Sequence, residues 1–309
     1  MTLLGRTFRA LLPYGLYKHM YIIPEQRERA RLEEERMRPA REERARILAL
    51  TARNVDLQNI HAGKRCFILC NGPSVKRQDI RPLKGEIVFS VSSGYLHPDY
   101  AEIAPAYHCV PQITYTLMTR ADVIVWFREM HERLGGAVTL FLNHTERALV
   151  REENLFPGRD VRYVDLAGPF SMYPPDALPD AAGEMPGAQS VPIMAALISM
   201  YMGHDRIYLL GADHDHFRSG EYKYFYEPTV LRGKDVSTDE HGKLRGGWHD
   251  ELQGLAALWS QYRNLRQIAA ANQIAIFNAT AGGELDEFPR VTLESLFRDQ
   301  TSTTAGSSD

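Results

Sequence analysis

Short apolar runs alternate with longer segments of helical spacing from residue 63 onward. The runs 66–70, 86–92, 106–110, 137–142, 161–165, 206–211 and 273–278 read as strands, and 119–134, 144–152, 191–202 and 250–271 read as helices between them. Cys66-Phe67-Ile68-Leu69-Cys70 is apolar throughout, as a strand covered on both faces of a parallel sheet would be. The alternation predicts an α/β fold: a Rossmann-like, mostly parallel sheet with helices on both faces. No internal repeat is present. Two stretches break the rhythm. Residues 168–187 are rich in Pro, Gly and Met, and residues 218–247 are polar, dotted with glycine, and carry Tyr222, Tyr224 and Tyr226. Loops of that length in a compact domain usually cover or select a substrate.

Ahead of this body lies an extension, residues 1–62. Residues 1–23 set Leu4, Phe8, Leu11, Leu12 and Leu16 at roughly helical spacing among Arg6, Arg9 and Lys18, with no acid. That pattern suits attachment to an anionic membrane face, and Pro13 and Gly15 interrupt any spanning helix. Packing of the same segment on the domain, or a cleaved leader, are the other readings. From Glu25 to Arg53 there are nine Arg and seven Glu with Pro39 between them, which predicts two exposed helices acting as a solvated face, a spacer or an oligomerisation arm. The domain is expected over 63–300, followed by a small polar tail, 301–309, that should be disordered.

Charge sharpens this division. Residues 1–53 carry a net +5 and residues 54–309 a net −8. An acidic body excludes a broad nucleic-acid surface. The three cysteines, Cys66, Cys70 and Cys109, sit in apolar runs without metal-ligand spacing and read as buried thiols of a reducing compartment. Walker A, G-x-G-x-x-G, G-x-S-x-G and H-E-x-x-H motifs are all absent.

Candidate chemistry gathers at the ends of the expected strands. The first runs into Asn71-Gly72-Pro73-Ser74, either a nucleotide cradle or an ordinary strand-to-helix turn capped by Ser74. The run 206–211 ends in Gly211-Ala212-Asp213-His214-Asp215-His216. Asp213-x-Asp215 has a spacing that suits Mg²⁺ or Mn²⁺ on a diphosphate, the histidines would admit a softer metal, and Asp213 bonded to loop backbone is the plainer reading. Ser190 opens the helix 191–202 as a cap or an anion contact. His249 opens the last helix, where an imidazole can take a proton from a hydroxyl. Asn278 ends the last strand, beside a glycine-rich turn.

As an ordered set, these pieces resemble the bacterial lipooligosaccharide sialyltransferases, glycosyltransferase family 42, and the wider group of related sugar-transferase-like and pterin-diphosphokinase-like domains. Cys70-Asn71-Gly72-Pro73-Ser74-Val75-Lys76 is similar to the family's first-strand motif. Ser190 through Ile207-Tyr208-Leu209-Leu210-Gly211-Ala212-Asp213 is similar to its second, and His249 falls where that family has its general base. The resemblance covers about residues 63–290 and implies a GT-A-like variant of the fold. It also implies that Asn71, Gly72, Pro73 and Ser74 contact the ribose and phosphate of a CMP-sugar, with Ser93, Gly211 and His214 beside them. Ser190 would help hold the donor. No cofactor would be strictly required, since paired tyrosines support the leaving phosphate. Tyr222 or Tyr224 matches one of the two. Asp215 stands near the place of the other, and Ser92 stands where the family has a nucleotide-binding asparagine, which leaves room for a different donor sugar.

The expectation is therefore an inverting glycosyltransferase of bacterial surface-glycan assembly. It would be cytoplasmic and peripheral on the inner membrane face, moving a sugar from a CMP-linked donor to a glycan or glycolipid acceptor, with homo-oligomerisation open. The competing readings are a Mg²⁺-dependent pterin-type diphosphokinase using Asp213 and Asp215, and a non-catalytic membrane-attached assembly protein.

Overall fold

Side chains alternate across a strand, so an unbroken apolar run demands cover on both faces. In a computed structural model of the chain, eight strands meet that demand in one sheet. The structure describes residues 18–19, 23–110, 112–113, 118–218, 224–226 and 247–298. The strands are β1 Arg65–Leu69, β2 Val88–Val91, β3 Tyr107–Cys109, β4 Thr139–Asn143, β5 Val161–Leu166, β6 Glu184–Met185, β7 Arg206–Leu210 and β8 Ala275–Asn278. Their order is β6-β5-β4-β3-β2-β1-β7-β8, and every pairing is parallel. From β1 the chain first builds outward through β2 to β6, then returns to add β7 and β8 on the other side of β1. The strand order therefore reverses between β1 and β7, the place where such sheets open a crevice at their carboxyl ends.

The faces are covered as the alternation requires. Cys66, Ile68, Phe89, Ile207 and Leu209 point to one side, under helices α5 (Val191–Tyr201) and α6 (Gly247–Ala271). Phe67, Leu69, Val88, Tyr208 and Leu210 point to the other. There, further along the sheet, α3 (Arg120–Arg133) and α4 (Arg147–Glu152) pack on Leu140 and Leu142. Between β2 and β3 lies the short helix α2 (Tyr100–Ile103). α5 is buried from Ile193 to Tyr201. Each of its large apolar side chains contributes about 1.5–3 kcal/mol by leaving water, which fixes the position of its N-terminus, Ser190, over the crevice.

Two expectations are corrected. The arginine- and glutamate-rich segment is one helix, α1 (Ile23–Thr51), with Pro39 inside it. The ion pairs Arg41–Glu34 and Arg38–Glu42 straddle the proline, but exposed pairs of this kind give under about 1 kcal/mol against the roughly 3 kcal/mol a proline costs. The run's lack of Gly, Ser, Asn and Asp explains more, because no turn chemistry competes with the helix. Within 168–187, read as loop, Glu184–Met185 pairs in parallel with Asp165 and Leu166 as β6.

The chain divides into two compact units, Met1–Ala49 and Leu50–Asp309. Residues 50–62, assigned to the extension from sequence, belong to the second unit. The Asn54 amide donates to the carbonyls of Tyr163 and Ala181, and the Tyr201 hydroxyl donates to the Asn54 carbonyl. Among the described residues no helix is long and apolar enough to cross a membrane. The expectations for residues 1–17, 20–22 and 301–309 lie outside the described residues.

Burial of two core histidines has a consequence for stability. His108 and His204 are 0% and 1% exposed, and loss of hydration lowers their pKa to about 3 and about 4. Both are neutral in the folded protein, whereas the unfolded chain titrates near 6.5. Their stabilising contribution is complete above pH 6.5 and is lost as pH falls from there toward 4, by up to about 1.4 kcal/mol per pH unit for each. Urea midpoints should fall between pH 7.5 and pH 5, and His204→Gln should flatten that fall; an unchanged pH slope in the variant would contradict this.

Candidate functional site

Three strand-end turns, from β1, β7 and β8, meet at Asp213. The Gly72 N–H donates to the Gly211 carbonyl (2.9 Å), and the Glu284 N–H donates to the Asp213 carbonyl (2.7 Å). The Ser74 hydroxyl donates to Asp213 Oδ2 (2.7 Å). Glycine is required at each turn because there is no room for a side chain. A Cβ on Gly72 would lie 1.9 Å from Asp213 Oδ2, one on Gly211 2.3 Å from Val75, and one on Gly283 2.5 Å from the Asp213 backbone. Gly211 and Gly283 also have positive φ, +69° and +71°. Burial, with Asp215 close by, raises the Asp213 pKa, and the Ser74 hydrogen bond opposes that rise.

Locked in this way, the turns form one wall of a cavity of about 300 Å³ at the reversal between β1 and β7. Asn71, Gly72, Gly211, Asp213, His214, Asp215 and His216 line it from these turns. Ser92 at the end of β2, Gln189 through Pro192 at the start of α5, Tyr224, and Leu258 of α6 complete it. Ser190 occupies the N-cap position, yet its side chain makes no capping hydrogen bond. Its hydroxyl lies 3.4 Å from that of Tyr262, which is 2.7 Å from His214 Nε2. Loss of water around the His214 ring lowers its pKa to about 4, so it is neutral. Ser92 and His214 both hold positive φ, +50° and +47°, a conformation that non-glycine residues seldom adopt and that clusters at functional sites. Asn71 Oδ1 and Asp213 Oδ1 are buried and accept no hydrogen bond among the described residues.

The sequence-selected residues divide into three groups. Asn71, Gly72, Ser92, Ser190, Gly211, Asp213, His214, Asp215 and Tyr224 come together in the wall. Pro73 starts a short 3-10 turn, Pro73–Arg77, in which Ser74 is fully buried and committed to Asp213 rather than offered as a helix cap or to a ligand. Ser93 is buried in the turn before Gly94–Leu96. Asn278 is also buried, accepting from the Thr280 N–H and donating to the Leu285 carbonyl to brace the turn after β8. His249 is exposed in the first turn of α6 and is not among the cavity's lining residues. Tyr222 lies outside the described residues. Among the described residues no group of three or more His, Cys, Asp or Glu comes together to hold a metal.

Sequence reasoning missed Gln189, Pro192 and Leu258, and it placed Cys70 and Val91 only as strand residues. It noted His216 as a metal ligand. In the structure its Nε2 lies 2.7 Å from Glu251 Oε1, across 35 positions of sequence that no local pattern connects. Phe225 lies against the first turn: its N–H donates to the Asn71 carbonyl (3.0 Å), and its ring is buried beside His97.

No protein-family model and no curated protein matches the chain. Among solved structures it is similar to the sialyltransferase CstII from Campylobacter jejuni, in complex with a substrate analogue, cytidine-5'-monophosphate. That match has 14% identity over 75% of this chain and 86% of that one, with a TM-score of 0.39. A single-residue variant of Cst-II in complex with CMP gives 11% identity over 73% and 85%, TM-score 0.39. The MAf glycosyltransferase from Magnetospirillum magneticum AMB-1 gives 16% identity over 84% of this chain, TM-score 0.44; the chain spans 41% of that protein's length. The site is therefore read from its own residues.

Gly72 tests the locking of the turns. Its φ of −65° suits alanine, so the penalty for Gly72→Ala comes from crowding alone, about 1–3 kcal/mol or more. Thermal unfolding should show a loss of several degrees. Gly254→Ala, within α6 where an added Cβ meets nothing within 4 Å, should be neutral or stabilising by up to about 1 kcal/mol. Equal effects of the two substitutions would refute the crowding account.

Proposed function

We propose that the cavity holds the nucleotide of a CMP-activated sugar and that the protein is an inverting glycosyltransferase acting on a glycan or glycolipid acceptor. The observation that carries this reading is the cavity's position and lining. It opens at the strand-order reversal between β1 and β7, below the start of α5, with the Ser190 hydroxyl not used as a cap. The amides and dipole at a helix start attract an anion. The two buried oxygens that find no donor among the described residues, on Asn71 and Asp213, favour a ligand rich in hydroxyl or amino hydrogens, because an unmet buried acceptor costs about 1–3 kcal/mol. A volume of about 300 Å³ lies at the small end of ligand sites, and Asp213 and Asp215 oppose the charge of a di- or triphosphate. A single phosphate fits these terms best.

In the proposed reaction the acceptor oxygen bonds to the anomeric carbon from the face opposite the phosphate. The bond from that carbon to the phosphate oxygen breaks, and its electron pair leaves with the nucleotide. The acceptor proton passes to His249, which stands at the start of α6 two residues before Glu251. Hydroxyl and amide donors in the wall meet the developing charge. Residues 1–23 would bring the enzyme to a lipid-borne acceptor on the inner membrane face.

Thermal-shift measurements with CMP, CDP, UDP, GDP and ATP, each with and without Mg²⁺, distinguish the readings. CMP should stabilise the protein without metal, and Asn71→Ala or Ser190→Ala should weaken CMP binding about tenfold. Stabilisation only by ATP with Mg²⁺ would favour the diphosphokinase, and no response to any nucleotide would favour an assembly protein. His249→Ala should abolish transfer and spare CMP binding; undiminished transfer would remove it as the base. Deleting residues 1–23 should release the protein from anionic vesicles in a sedimentation assay, and unchanged sedimentation would count against the anchor.

A further inference from the structure

One hydroxyl behind the cavity wall links two of its lining residues, Ser190 and His214. It belongs to Tyr262 of α6, a residue that is 0% exposed and does not line the cavity itself. The Tyr262 ring stands edge-on to Phe288 and tilted against the His214 ring, which fixes its position. Its hydroxyl lies 2.7 Å from His214 Nε2 and 3.4 Å from the Ser190 hydroxyl, so it joins the turn after β7 to the start of α5. A hydroxyl buried this completely has no solvent to bond, and burial raises its pKa, which keeps its proton in place. It can give one hydrogen and accept another. The Ser190 hydroxyl has the same capacity, and it does not cap α5.

We propose that Tyr262 and His214 are positioning residues for the Ser190 hydroxyl, aiming its hydrogen into the cavity and so raising the site's preference for an anionic ligand over a neutral one. The inference rests on the nucleotide reading above and names what makes Ser190 a donor. A nucleotide phosphate carries little or no hydrogen near neutral pH, so Ser190 bonds it only by donating. The Ser190 oxygen then accepts from the Tyr262 hydroxyl, and the Tyr262 oxygen accepts from His214 Nε2–H. Every hydrogen in the row points toward the anion, an arrangement in which successive bonds polarise one another. With the row reversed, Ser190 would donate to Tyr262 and turn a lone pair toward the ligand, which an anion disfavours. The 3.4 Å between Ser190 and Tyr262 is long for two hydroxyls, and it shortens once a phosphate takes the Ser190 hydrogen.

Titration calorimetry with CMP and, by competition, with cytidine reads the claim as a ratio of two affinities. The wild-type protein should favour CMP. Tyr262→Phe removes one oxygen and keeps the buried ring; it should weaken CMP about three- to tenfold and leave cytidine within about twofold. Ser190→Ala should lower the ratio in the same way. The double variant should bind CMP within about twofold of Ser190→Ala alone, because without the serine there is no hydrogen left to aim. His214→Asn tolerates the positive φ at this position and shortens the side chain; it too should lower the ratio, and it decides the matter if Tyr262→Phe does not fold. An unchanged ratio in Tyr262→Phe or in His214→Asn would assign that residue a structural role and overturn the inference, as would losses that multiply in the double variant. Equal wild-type affinity for CMP and cytidine would overturn it while leaving nucleotide binding in place. A wild-type protein that binds neither ligand would overturn the nucleotide reading, and the inference with it.

Discussion

The contact between Gly72 and the Asp213 carboxylate determines the geometry of everything above the sheet. Parallel pairing sets β1 beside β7 and β7 beside β8, but pairing alone would leave their exit turns free to diverge. They converge because three glycines let backbone stand where side chains would be, and because Asp213 bonds both the Ser74 hydroxyl and, through its carbonyl, the Glu284 N–H. A buried carboxylate is a costly anchor. Its raised pKa reflects that cost, and it persists because the hydrogen bonds around it hold three segments at once.

From that junction the cavity inherits both shape and polarity. Asn71 leaves the junction on one side and His214 to His216 on the other, so a ligand between them touches two strand ends and the start of α5. α5 can bring its N-terminus there because the rest of the helix is almost wholly apolar and buried. The one wall thus combines carboxylates, hydroxyls and a helix start, and excludes lysine and arginine among the described residues. Such a composition disfavours multiply charged anions more than singly charged ones.

Much of the fold was legible because its strands are apolar runs bounded by turn residues. Seven strands and the helices at 119–134, 191–202 and 250–271 lie where the pattern put them, within a few residues at each end. β6 was not legible: two residues inside a Pro- and Gly-rich stretch carry no periodicity, and only the β5 edge makes them a strand. Nor was the continuity of α1 through Pro39, since a proline in sequence signals a break that only the absence of competing turn residues overrides. Within the site, the strand-end signal found Asn71, Ser190 and Asp213, but it could not show that Ser74 and Asn278 face inward to brace the turns. Reading Gly72 as room for a ligand identified the residue and missed the cause, which is room for Asp213. The His216–Glu251 pair joins a loop to a helix and was invisible because its partners have no fixed spacing.

A crystal structure with CMP tests the central claim most directly. The account predicts the nucleotide between the turns of β1 and β7, its phosphate at the start of α5 within hydrogen-bonding distance of Ser190, and its hydroxyl or amino groups meeting Asn71. CMP bound elsewhere, or bound there with its phosphate turned away from Ser190, would contradict it.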